Sequence, residues 1–124
     1  MNAFVNCLLV GAGGMIGAIC RYLFSLLPIK LQNSFPINTL LINIIGAFCM
    51  GLIVAISKKD GDIGPQILLF LKIGICGGFT TFSTFSWEAM QLIQNGKFTV
   101  AISYMVLSTA LCVSTIAIAQ AIIK

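Results

Sequence analysis

The sequence predicts an all-α membrane protein: four transmembrane helices in one domain over residues 1–124, with a break in the third near residues 77–81. Three observations carry that prediction. The 124-residue chain is 59% hydrophobic and only 8% charged, with a mean hydropathy of +1.08, too apolar for a water-soluble domain of this size. Its apolar residues fall into four stretches, each near the roughly 20 residues a helix needs to cross a bilayer. A glycine pair followed by a hydroxyl-rich run then interrupts the third stretch at mid-membrane.

The spans run from about Phe4 to Leu27, Asn38 to Ile56, Gln66 to Ile93 and Phe98 to Ile123. The connections are short, so any active chemistry sits in or between the helices. Met1-Asn2-Ala3 lacks the basic start of a cleavable signal, and the first span is longer than a signal's apolar core, so it is expected to stay. Cys7, Cys20, Cys49, Cys76 and Cys112 are scattered without the paired spacing of a zinc or iron–sulfur site and read as small packing residues. Histidine, the commonest metal ligand and proton shuttle, is absent. No nucleic-acid partner is expected.

Lysine and arginine normally collect on the cytoplasmic side and set orientation. Here Lys58, Lys59 and Lys124 fall on one side and Arg21, Lys30 and Lys97 on the other, with Lys72 able to snorkel toward the first. A chain with so little bias can insert both ways, and two opposed copies would form a dimer with its two-fold axis in the membrane plane. The alternative is a single orientation set by the insertion machinery.

In the first span, Gly13 and Gly17 have the small-xxx-small spacing of close helix packing. Arg21, near its end, reads equally as a headgroup anchor or as an anion-attracting charge at a vestibule. The second span opens after Phe35-Pro36, where Asn38-Thr39 offers capping oxygens. Asn43 lies deeper, where its amide either glues helices or lines a wet path, with glue favoured on spacing alone.

The third span carries Gly77-Gly78-Phe79-Thr80-Thr81-Phe82-Ser83-Thr84-Phe85. Two glycines and a β-branched run disfavour a continuous helix, and a break releases backbone groups that hydrocarbon cannot satisfy. Freed carbonyls suit a bare cation, whereas hydroxyls and amides donate to an anion. Phe82 and Phe85 share a helical face with Phe79 one step behind, and their electropositive ring edges can contact a partly dehydrated anion. Taken alone, those rings read as core or lipid-facing. In the fourth span Tyr104, Ser108, Cys112 and Thr115 form a polar stripe.

Three segments, Gly14 to Tyr22, Asn38 to Gly46 and Gly74 to Phe85, together resemble the bacterial fluoride channels called Fluc or CrcB, over nearly the full length and in the right order. The resemblance implies a dual-topology homodimer in the bacterial inner membrane that exports fluoride passively through two pores and confers fluoride resistance. It implies a central structural sodium ion on the backbone carbonyls of Gly77 and Thr80 from each copy. It places Asn43, Phe82 and Phe85 in the pore, with Ser83, Thr84, Tyr104 and Ser108 as polar lining and Arg21 near the mouth. Cys112 departs from the pattern, since a thiol donates weakly.

Two other functions compete. A proton-coupled exporter of small cations wants a carboxylate deep in a span, but the acids are Asp60 and Asp62 in a loop and Glu88 past the break. An assembly subunit would explain the glycines but not the conjunction of Asn43, Phe82 and Phe85. Neither reading, nor the channel, makes the chain an enzyme.

Overall fold

The computed structural model describes residues 2–124; Met1, part of the N-terminal reading and of the 1–124 domain, lies outside them. Four long apolar helical segments run back and forth, and the described residues contain no strand. Helix α1 spans Ala3–Ser25, where Asn2 Oδ1 accepts the Phe4 N–H at 2.9 Å and so satisfies one orphan donor of the first turn. Helix α2 spans Ile37–Asp60 and ends at Gly61, whose φ of +67° suits glycine at a helix C-terminus.

Two expectations for α2 change. The helix runs one turn past Ile56, so Lys58, Lys59 and Asp60 lie on its last turn rather than in a loop, where the lysines complement the dipole. Asn38 does not cap its own helix. Its Nδ2 donates to the carbonyls of Ser25 and Leu27 at 3.2 and 3.0 Å, so it closes the end of α1 instead.

The third segment, Pro65–Gln94, is composite. A short helix α3 (Pro65–Leu68) widens into a π-helical stretch at Leu69–Cys76 and tightens to one turn, α4 (Gly77–Phe79). Thr80 is extended, with φ −80° and ψ 159°, and helix α5 begins at Ser83 and ends at Gln94. The glycine pair expected to break the helix is therefore itself helical, and the chain leaves the helix just beyond it. The reason is packing. A Cβ on Gly78 would lie 2.6 Å from the Gly14 carbonyl oxygen, and one on Gly74 would lie 2.8 Å from the Gly13 Cα, so these glycines let α1 approach the third segment backbone to backbone.

Helix α6 (Phe98–Ile123) follows a turn at Gly96, where φ is +77°. It packs along α2, with Gly51 against Ala119 and Ile116. Lys58, Lys59 and Lys124 come together at one end of the bundle, while Lys97 Nζ donates to Ser34 Oγ at 3.0 Å at the other. The buried core is small, built on Leu40, Ala89, Leu92, Ala101 and Tyr104, and most large apolar side chains face outward, as a lipid-embedded protein allows.

Candidate ion-conducting site

The site is organised by the backbone of one residue, Thr81. Asn43, on α2, accepts the Thr81 N–H on Oδ1 at 2.8 Å and donates Nδ2 to the Thr81 carbonyl at 3.0 Å. In a continuous helix the Thr81 N–H would bond the Gly77 carbonyl, and the Thr84 N–H would bond that of Thr80. Here the Thr84 N–H instead meets Thr81 Oγ1 at 3.1 Å. Gly77 and Thr80 are thus deprived of their helical donors, and Gly77 is exposed on the protomer surface. The Gly78 carbonyl accepts Arg21 Nε at 3.1 Å, and Thr80 is held back to the Cys76 carbonyl through N–H at 3.1 Å and Oγ1 at 2.9 Å.

Beside Thr81 a groove of about 380 Å³ runs between α2, the non-helical residues and α6. Asn43, Phe82, Phe85, Ser108 and Cys112 line it. Phe82 and Phe85 lie with ring centroids 5.5 Å apart, and Phe82 is 79% exposed, the most open of the large apolar side chains. Ser108 is only 7% exposed, and its Oγ has no hydrogen-bond partner among the described residues. A buried hydroxyl without a partner costs about 1–3 kcal/mol, so one left facing a groove is a donor awaiting an acceptor. Asn43 carries two amide hydrogens, and the Thr81 carbonyl takes one.

The other expected residues are distributed differently. Tyr104 is fully buried and outside the groove: its hydroxyl donates to Glu88 Oε1 at 3.0 Å, and its ring packs on Phe85 at 5.0 Å and Phe35 at 5.5 Å. Phe79 turns away from Phe82 and meets Phe24 edge-on at 6.3 Å. Ser83 Oγ lies 3.4 Å from Thr81 Oγ1. Thr84 and Arg21 share a second groove of about 270 Å³ with Thr39 and Thr81, so Thr81 borders both hollows.

The role of Thr81 and the pairing of Glu88 with Tyr104 are what sequence reasoning passed over. The pair had a signal, because Glu88 and Tyr104 are equidistant from Gly96 at the turn of a helical hairpin. Thr81 had none, since its partner Asn43 is 38 residues away.

The fold, with four helical segments long and apolar enough to cross a bilayer, defines a multi-pass α-helical membrane protein. Residues 8–120 match the family described as CrcB-like protein, Camphor Resistance (CrcB). The chain is 42% identical over 125 residues to a protein of Ruminiclostridium cellulolyticum, covering 100% of this chain and 96% of that one. It is 40% identical over 119 residues to a protein of Shewanella halifaxensis, covering 95% of each. With a protein of Methylobacterium radiotolerans it shares 35% identity over 122 residues, covering 97% of this chain and 85% of the relative. All three are named fluoride-specific ion channel FluC. The chain belongs to the CrcB-like family, whose relatives named here are ion channels and not enzymes.

Proposed function

We propose that this protein is a passive fluoride channel of the bacterial inner membrane that exports fluoride and so confers resistance to it. The relatives' names set the ion, and the groove supplies the chemistry. Fluoride is small and strongly hydrated, so a path through hydrocarbon must replace its water. The single observation that carries the reading is the unpartnered Ser108 hydroxyl in the groove that also holds the Asn43 amide and the Phe82 and Phe85 rings. These groups offer hydrogen-bond donors and electropositive ring edges without a full positive charge, so the ion can be held and still leave. Thr84 adds a hydroxyl to the groove that holds Arg21, Ser83 adds one beside Thr81, and the Tyr104 ring packs against Phe85.

The working unit on this reading is an antiparallel homodimer with two pores. The even distribution of basic residues between the two ends supports it, as does the width to which the Phe82 face stands open on a single protomer. A structural sodium ion at the centre fits the donor set. The carbonyls of Gly77 and Thr80 have lost their helical partners, and two such carbonyls from each of two copies would make four hard oxygen ligands. Sodium bound there would supply a fixed positive charge that ties the two copies together.

Efflux from proteoliposomes read with a fluoride electrode tests the activity. Rapid fluoride release that ignores an imposed pH gradient is expected. Release that requires the gradient, or silence in fluoride with transport of organic cations, would replace the channel by an exporter.

A further inference from the structure

Gly13, Gly17 and Arg21 recur every four residues on α1 and so share one face. The two glycines bring that face against the third segment: a Cβ on Gly13 would meet the Phe70 carbonyl oxygen and the Gly74 Cα, and one on Gly17 would run into the Ile75 carbonyl. One turn further on, the same face delivers Arg21 to the end of α4, where its Nε donates to the Gly78 carbonyl at 3.1 Å. Two side chains from different helices therefore hold adjoining parts of the non-helical stretch. Arg21 satisfies the Gly78 carbonyl, Asn43 satisfies the N–H and the carbonyl of Thr81, and the Gly77, Phe79 and Thr80 carbonyls are left without their helical donors.

We propose that Arg21 is a positioning residue for this carbonyl set, and that its contact with Gly78 shapes the structural cation site as well as the conducting groove beyond it. The proposal rests on the sodium reading above for the identity of the cation, but the pinning of the backbone stands on the hydrogen bond itself. The bond is made by Nε, a donor partway along the side chain. Lysine keeps the charge but carries a methylene where arginine carries Nε, so the two roles separate cleanly. If Arg21 served only as a charge attracting anions to a vestibule, lysine would replace it.

The test compares wild type, Arg21→Lys and Arg21→Gln as purified dimers in three measurements: fluoride efflux, amide hydrogen exchange over residues 80–83, and thermal stability titrated with sodium against a potassium background. Loss of a hydrogen bond from a charged donor is expected to slow efflux about tenfold or more in both variants and to speed exchange over residues 80–83 by a similar factor. The sodium concentration at the midpoint of stabilisation should rise about tenfold in both, with stability at saturating sodium near that of wild type. Arg21→Lys with wild-type efflux, exchange and sodium midpoint would overturn the proposal and leave Arg21 a vestibule charge. A wild type indifferent to sodium would instead overturn the sodium reading, and the lysine comparison of efflux and exchange would still decide the role of Arg21. Should Arg21→Gln fail to fold, the lysine variant alone settles the question.

Discussion

Asn43 does two things that a sequence cannot separate. Its amide was readable as helix glue or as pore lining, and the reciprocal pair of bonds to Thr81 makes it glue, while its second amide hydrogen and its place in the groove keep the lining role open to it. Asn43→Ala leaves the N–H and the carbonyl of half-buried Thr81 unpaired, so it should both stop fluoride efflux and lower stability by about 2 kcal/mol or more. Thermal melting beside the efflux assay checks this; an unchanged melting point would mean that water replaces the amide. Ser108→Ala separates the two effects. Its hydroxyl has no partner, so its removal should leave stability unchanged or slightly raised, yet slow fluoride efflux. Phe82→Ile, at the most open ring, should likewise abolish or greatly slow efflux without loss of the dimer. Loss of the dimer in that variant would assign the ring to assembly. Tyr104→Phe takes a hydrogen bond from a partly buried carboxylate and should cost about 1–3 kcal/mol in thermal stability, an effect that Tyr104→Ala would exceed by adding a cavity beside Phe85.

At the scale of elements, the helices were legible and the turning points were less so. Four apolar stretches and their approximate bounds could be read directly, because the length of a spanning helix is set by the bilayer and not by its neighbours. The third segment was harder. Low helix propensity at Gly77-Gly78 pointed to a break there, but both residues are helical, and α1 lies against Gly78 too closely for any side chain. The departure at Thr80 depends on partners far away in sequence: Arg21 on one flank, Asn43 on the other, and Gly46, where a Cβ would strike the Thr80 methyl. Glycines on one helix can therefore be told apart by experiment. Gly17→Ala would push a methyl into the Ile75 carbonyl and should be strongly destabilising, whereas Gly14→Ala meets open space at its own Cβ and should be neutral or stabilising by about 0.5–1 kcal/mol. Melting curves for the pair, in the same detergent, make the comparison, and equal losses would contradict the close approach described.

For the molecule as a whole, the arithmetic of charge has a spatial counterpart. Lys58, Lys59 and Lys124 do gather at one end, and Lys97, tied to Ser34, lies with Lys30 at the other, so both ends carry basic residues. Single cysteines at Lys59 or Lys97, in a background freed of the five native cysteines, should each label about half from either face of the membrane if insertion is dual. One-sided labelling at both positions would establish a single orientation and remove the antiparallel dimer. Fluoride efflux should survive these substitutions, since neither lysine borders the groove between α2 and α6.

Composition and hydropathy by themselves determined the membrane, the number of spans and the near-balance of charge, because each is a property of the chain summed over its length. Resemblance to a family, rather than composition, singled out Asn43, Phe82, Phe85, Tyr104 and Ser108 as candidate donors, since the two phenylalanine rings taken alone read as core or lipid-facing. Only the tertiary structure decided which of those donors are free. Tyr104 proved to be committed to Glu88 and Ser108 to nothing, and the carbonyls of Gly77 and Thr80 lost their partners because Asn43 and the Thr81 hydroxyl took the N–H groups that a helix would have used. A hydrogen bond consumes one particular donor and acceptor, and which ones meet is settled by helices 38 and 57 residues apart in the chain, beyond the reach of any local pattern.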